Sequence, residues 1–197
     1  MKLAVIIGTT REGRKTEQQA KWVFNTAKQI EDVDAELVDL RDYPMPFFDE
    51  PISPRYNPDR KIDPAVIPWL IKLEEFDAYV FVTPEYNHSV PGVLKNALDY
   101  VTWELLHKPA AVVSHGAQAG ARAMTDLKEI LSESRAVPIP TVSSTTMSGM
   151  SETIDKNGNL AESAKANPYG PQKGLDTLLV DLKWYSDALA AASAKNS

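Results

Sequence analysis

The chain contains no cysteine in its 197 residues. That one absence excludes disulfide scaffolds, thiolate zinc sites, iron–sulfur ligation and thiol nucleophiles together, so any electron chemistry needs an added cofactor. Cations are in deficit: 21 Lys and Arg stand against 27 Asp and Glu, a formal net charge of -6 with a pI near 5.1. Nucleic-acid binding rests on clustered cations that release counterions, so no nucleic-acid partner is expected, and a phosphate would have to be held by a local arrangement. Long apolar runs are also missing near the start. Residues 3–7 are apolar but Arg11 follows closely, too short a stretch for a secretory signal or a membrane span, which sets the expectation of a cytoplasmic protein without membrane contact. With 43% apolar and 24% charged residues, what remains is an ordinary globular composition. The length suits one domain over residues 1–197.

The residues that are present alternate between two patterns. Residues 3–7, 36–40, 78–83, 109–114 and 137–142 read as short β-branched or apolar strands, the last near a sheet edge because of Pro138 and Pro140. Between them, residues 16–30, 64–76, 91–101, 120–134 and 171–192 carry apolar residues three and four apart, as helices do, with Asp63 and Pro64 marking the start of the second. Five strands alternating with helices specify an α/β domain with a parallel sheet, since parallel neighbours need crossover connections. Residues 41–63 form a long Pro-rich, aromatic loop, and residues 144–170 are polar and turn-rich, with a tight turn at Asp155-Lys156-Asn157-Gly158.

In open parallel sheets, ligands sit beyond the carboxyl ends of the strands. After the first strand comes Gly8-Thr9-Thr10-Arg11-Glu12-Gly13-Arg14-Lys15-Thr16, leading into a helix start. Free amides, hydroxyls of Thr9, Thr10 and Thr16, and the charges of Arg11 or Arg14 make an anion site there. The same segment also allows a plainer arrangement, in which Thr16 caps the helix and the arginines are solvated. It is neither a P-loop nor a G-x-G-x-x-G turn. After the third strand, Pro84-Glu85-Tyr86-Asn87-His88-Ser89-Val90-Pro91 is a stiff polar loop able to read an uncharged planar heterocycle. After the fourth, Ser114-His115-Gly116-Ala117-Gln118-Ala119-Gly120 is small enough for close backbone approach. His88, His107 and His115 lack ligand spacing, so no metal is expected. Lys95, Asn96 and Asp99 suit packing, capping or an oligomer contact, and Trp69, Trp103 and Trp184 suit core or interface positions.

Gly8-Thr9-Thr10-Arg11, Pro84-Glu85-Tyr86-Asn87, the run from Pro91 to Tyr100 containing Leu94-Lys95-Asn96-Ala97-Leu98-Asp99, and Ser114-His115-Gly116 together resemble the NADPH-dependent FMN reductase family. The resemblance runs in order along most of the chain. It implies a flavodoxin-like three-layer sandwich and non-covalent FMN, reduced by NADPH or NADH and reoxidised by a small-molecule acceptor such as a quinone, free flavin, azo compound or metal oxyanion. It further implies that Thr9, Arg11, Arg14 and Thr16 hold the FMN phosphate, that Pro84, Glu85, Tyr86 and Asn87 together with Ser114, His115 and Gly116 border the ring, and that no protein side chain is catalytic. Thr9 stands where Ser is more usual, His115 where an aromatic such as Tyr is, and Ala117 and Ala119 thin a glycine-rich loop. A homodimer or homotetramer is expected, using the helix of residues 91–101 and the loop aromatics Tyr43, Phe47 and Phe48. A flavodoxin-type carrier or a non-enzymatic FMN-binding module shares most of these features.

Overall fold

The computed structural model describes residues 1–146 and 153–195. Chain order is β1 Lys2–Ile7, α1 Thr16–Ala27, β2 Asp34–Asp39, α2 Ile67–Glu74, β3 Ala78–Pro84, α3 Gly92–Asp99, β4 Pro109–Gly116, α4 Ala121–Glu133, β5 Val137–Thr146, α5 Glu162–Lys165 and α6 Pro171–Ala194. Every strand pairing is parallel, and the spatial order is β2-β1-β3-β4-β5. Strand order reverses between β1 and β3, which puts a crevice at their carboxyl ends.

Alternation along the strands separates two apolar layers. Leu3, Val5, Ile7, Val80, Val82, Ala111 and Val113 pack with Trp22 and Val23 of α1 and Leu175, Leu178 and Leu182 of α6. Ala4, Ile6, Tyr79, Phe81, Ala110 and Val112 face the other way, onto Trp69 of α2, Leu94 of α3 and Leu127 of α4. Because both faces of the central strands are covered, their sequences read as unbroken apolar runs.

Element ends differ from expectation for local reasons. The Asp63 carboxylate accepts from Ala65 N–H and the Asp63 carbonyl from Val66 N–H, so a capped turn precedes α2, which starts at Ile67. Helix α1 stops at Ala27 and α3 at Asp99, while α6 runs on to Ala194. Strand β5 extends past Val142 to Thr146, because Ser143 to Thr146 pair with Val113 to Gly116 of β4. It is an edge strand carrying Pro138 and Pro140. The expected tight turn forms: Gly158 N–H donates to the Asp155 carbonyl at 3.0 Å.

The segment of residues 41–63 is tied down. Asn96 donates to the Pro46 carbonyl at 2.7 Å and accepts from Phe48 N–H at 2.8 Å, and Arg60 pairs with Glu50 at 2.7 Å. Tyr43 and Phe48 pack edge-on against Trp69 and Tyr100, which corrects their expected exposure. Phe47 and Tyr56 are the aromatics this segment leaves in solvent, at 85% and 76% exposure. Trp69 is core, whereas Trp103 and Trp184 lie half exposed or more.

Candidate active site at the β1 and β3 carboxyl ends

The loops that follow β1, β3 and β4 converge on a cleft of about 400 Å³ lined by Arg11, Gly13, Arg14, Lys15, Pro84, Glu85, Tyr86, His115, Gly116 and Ala117. They are joined to one another by hydrogen bonds. Gly8 N–H donates to the Val82 carbonyl and Glu85 N–H to the His115 carbonyl, each at 2.9 Å. A Cβ at Gly8 would lie 2.8 Å from the Val82 carbonyl oxygen, so glycine is what allows the start of the first loop to lie against β3.

The loop after β1 is built as a concave strip of backbone. The Thr9 hydroxyl accepts from Arg11 N–H at 3.3 Å and donates to the Tyr86 hydroxyl at 3.3 Å. No side chain caps α1 at Lys15, so the amides of its first turn keep the positive end of the helix open to an anion. Among the described residues, Thr10 N–H and Glu12 N–H also meet no acceptor. Arg11 is exposed, its guanidinium 5.6 Å from the centre of the Tyr86 ring.

Arg14 and Thr16 are used differently from Arg11. Arg14 is 8% exposed; its Nη1 donates to the Thr9 carbonyl at 2.5 Å and to Asp39 Oδ1 at 2.8 Å, and its Nη2 donates to Asp39 Oδ2. Its Nε is buried and unpartnered. Burial works to raise the Asp39 carboxyl, and the bonds from Arg14 and from Arg41 N–H outweigh it, holding that group below the usual carboxylate range. The Thr16 hydroxyl is fully buried and shares a 2.8 Å hydrogen bond with His115 Nε2. It does not cap the helix.

After β3, Tyr86 and Ser89 exchange two backbone hydrogen bonds at 3.0 Å, and Asn87 and His88 between them both have positive φ. This is the two-residue hairpin in which both central residues are left-handed. Glu85 turns away from solvent: its carboxylate accepts from Arg122 N–H at 3.0 Å at the start of α4 and pairs with the Arg122 guanidinium at 3.3 Å. After β4, Ser114 Oγ donates to the Ala119 carbonyl at 2.8 Å. Ala119 and Gly120 have φ of 57° and 71°. The His115 ring is buried, which pushes its pKa down to about 4, and Nδ1 has no partner. A Cβ at Gly116 would come 3.2 Å from that of Glu85, so the two loops meet without space for a larger residue.

The structure thus brings Arg11, Pro84, Tyr86 and Gly116 around one cleft, buries Thr9 behind it, leaves Asn87 on the hairpin outside its lining, and gives Arg14, Thr16, Glu85, Ser114 and His115 internal partners that shape it. Sequence reasoning missed Asp39, Arg41, Gln19 and Arg122. Gln19 is buried and donates to the Ser114 carbonyl at 3.3 Å and to Thr145 Oγ1 at 3.0 Å. The available signal for Asp39 was its place near the end of the second expected strand. Among the described residues no cluster of three or more His, Asp or Glu could hold a metal, and no helix is long and apolar enough to cross a membrane.

Comparison with known proteins agrees with this geometry. An NAD(P)H-dependent FMN reductase of Schizosaccharomyces pombe is 37% identical over 129 residues, covering 66% of this chain and 64% of that one. The match therefore spans less than two thirds of that relative's length. An NADPH azoreductase of a Bacillus species is 34% identical over 144 residues, covering 71% and 74%. Among solved structures, the flavoenzyme NAD(P)H:(acceptor) oxidoreductase FerB of Paracoccus denitrificans superposes with a TM-score of 0.67 at 21% identity, over 96% of this chain and 97% of that one. A flavodoxin from an archaeon superposes with a TM-score of 0.58 at 14% identity, over 95% and 99%. Those two likenesses show the flavodoxin-like fold and do not separate an enzyme from a carrier. The model of the NADPH-dependent FMN reductase family matches residues 1–149, the loops after β1, β3 and β4 included, and the chain belongs to that family.

Proposed function

We propose that the protein is an FMN-dependent NAD(P)H oxidoreductase that delivers electrons to a small acceptor such as a quinone, free flavin, azo compound or metal oxyanion. The carrying observation is the meeting, in one cleft, of an uncapped helix start with an exposed arginine and of a stiff hairpin loop with a glycine-tight loop. The first pair has the chemistry for a phosphate dianion. The second leaves a narrow, mostly backbone-lined wall suited to a flat heterocycle.

The residues fit FMN on that ground. Arg11, the Thr9 hydroxyl and the amides of residues 10–16 would hold the phosphate, with Arg14 and Thr16 shaping the loop from behind. Pro84 to Asn87 and Ser114 to Gly116 would border the ring. Bound FMN supplies the redox chemistry, taking a hydride from the nicotinamide and passing the electrons to the acceptor. The protein's part is orientation and exclusion. His115, buried and neutral at physiological pH, is not poised to exchange protons with substrate, and His88 is exposed on the hairpin. No side-chain acid or base is assigned.

A homodimer or homotetramer is part of the reading, supported by the two exposed aromatics of the 41–63 segment beside α3. So is a cytoplasmic address, where reduced nicotinamide nucleotides are at hand. The test is anaerobic mixing of the FMN-loaded protein with NADPH or NADH, followed by a quinone and no protein partner. Bleaching of the flavin absorbance and repeated turnover are expected. A flavin that stays oxidised with both nucleotides yet accepts electrons from a ferredoxin-type system would establish a carrier instead.

A further inference from the structure

Two residues at the end of β2 act on the loop after β1 without facing the cleft. Arg41 Nε donates to the Thr10 carbonyl at 3.2 Å and its Nη2 to the Arg11 carbonyl at 2.7 Å. Asp39 accepts from both terminal nitrogens of Arg14, whose Nη1 also donates to the Thr9 carbonyl. It accepts as well from the Arg41 backbone N–H at 2.9 Å, so one carboxylate fixes the Arg14 guanidinium and the main chain that carries Arg41. Three consecutive carbonyls, those of Thr9, Thr10 and Arg11, are thereby drawn toward β2.

Peptide planarity turns this into a statement about amides. In a trans peptide the carbonyl of one residue and the N–H of the next point in opposite directions, and the described chain has no cis bond. Holding those three carbonyls toward β2 aims the N–H groups of Thr10, Arg11 and Glu12 away from it. Arg11 N–H shows the direction by donating to the Thr9 hydroxyl, and the other two have no acceptor among the described residues. Successive amides facing one way form an anion-binding concavity. Preset donors bind more tightly because their ordering is already complete in the free protein.

We propose that Asp39 and Arg41 are positioning residues for the phosphate-binding strip, and that the negative charge of Asp39 increases affinity for a phosphate monoester although it lies beside that site. This rests on the assignment of FMN to the cleft. Charge alone argues the reverse: a carboxylate near a dianion repels it, and removing the carboxylate would tighten binding.

The experiment compares FMN with riboflavin, the same ring system without the phosphate, by fluorescence titration of the flavin-free protein. Wild type is expected to prefer FMN strongly. Asp39→Asn should weaken FMN by about tenfold or more, the scale of one charge-assisted hydrogen bond, and leave riboflavin unchanged. Arg41→Lys keeps the charge but lacks the planar fork that spans two carbonyls, and should likewise weaken FMN selectively. Tighter or unchanged FMN binding by Asp39→Asn overturns the proposal, as does an equal loss for both flavins, which would mark a merely structural role. If Asp39→Asn does not fold, Arg41→Lys, at an exposed side chain, decides: unchanged FMN affinity overturns the proposal. A wild type that binds neither flavin defeats the assignment of the cleft itself, and is told apart from failure of the positioning role because it appears before any substitution.

Discussion

The Thr16 hydroxyl and His115 Nε2 lie 2.8 Å apart, both buried, and join the start of α1 to the loop after β4 across 99 residues of sequence. The bond couples the anion end of the cleft to its opposite wall. Burial of the ring also makes stability sensitive to acid. The unfolded histidine takes up a proton near its ordinary value of 6.5, the folded one only near about 4. Its contribution is therefore whole above pH 6.5 and is lost as pH falls toward 4, roughly 3 kcal/mol in total. Denaturant unfolding of wild type from pH 7 to 4.5 should show that slope, and His115→Gln should flatten it. An equal slope in the variant would assign the effect to other groups.

Arg11 is the exposed guanidinium of the loop after β1, so its removal costs little folding stability. Arg11→Ala should lose about 1.5–3 kcal/mol of FMN binding, roughly ten- to a hundredfold, with riboflavin affinity unaffected. Unchanged FMN affinity in a fluorescence titration would take Arg11 out of the site.

His88 occupies the second left-handed position of the Asn87-His88 hairpin, at φ 69°. Glycine accepts that conformation without the strain that a Cβ brings. His88→Gly should therefore raise stability by about 0.5–1 kcal/mol, seen as a higher unfolding midpoint, and the rate of flavin reduction by NADPH should stay within about tenfold, a change of about 1.4 kcal/mol. A collapse in that rate would give His88 a chemical role.

Gly120 combines φ of 71° with a Cβ position 2.9 Å from the backbone N and O of His115. Gly120→Ala must move the loop after β4 or the start of α4. A loss on the order of 2–4 kcal/mol is expected, together with weaker flavin binding because His115 and Gly116 shift. Wild-type midpoints in thermal unfolding would show that the loop yields more easily than the contacts imply.

The exposed side chains Phe47 and Tyr56 are the proposed oligomer contact. Light scattering should find a dimer or tetramer for wild type and a smaller species for the double variant Phe47→Asp with Tyr56→Asp. A wild-type monomer at every working concentration removes the oligomer from the reading.

Much of this fold was legible from residue order alone, because β1, β3 and β4 are buried on both faces and so carry continuous apolar runs. The far half of β5 was not, since Ser144, Thr145 and Thr146 read as polar loop until their pairing with β4 is known. In the cleft, residue types announced themselves at strand ends, but their division of labour did not. Whether an arginine stays exposed or meets a carboxylate depends on which strand lies alongside: Asp39 of β2 takes up Arg14, while Arg11 is left in solvent. Asn96 stood out in its motif, yet only the tertiary structure shows that it fastens Pro46 and Phe48.

The prolines of β5 also decide how copies of the protein can meet. Val137 N–H donates to the Lys108 carbonyl on the β4 side, and along a strand successive N–H groups point to alternate sides. Position 138 therefore turns its backbone nitrogen outward, to the open margin of the sheet, and Pro140 lies in the stretch where the register with β4 shifts; both are proline, which has no N–H to offer. An incoming strand would meet a missing donor at Pro138 and an irregular stretch directly after it. Sheet-to-sheet fusion is blocked there, and at that end of the molecule self-association is left to side chains.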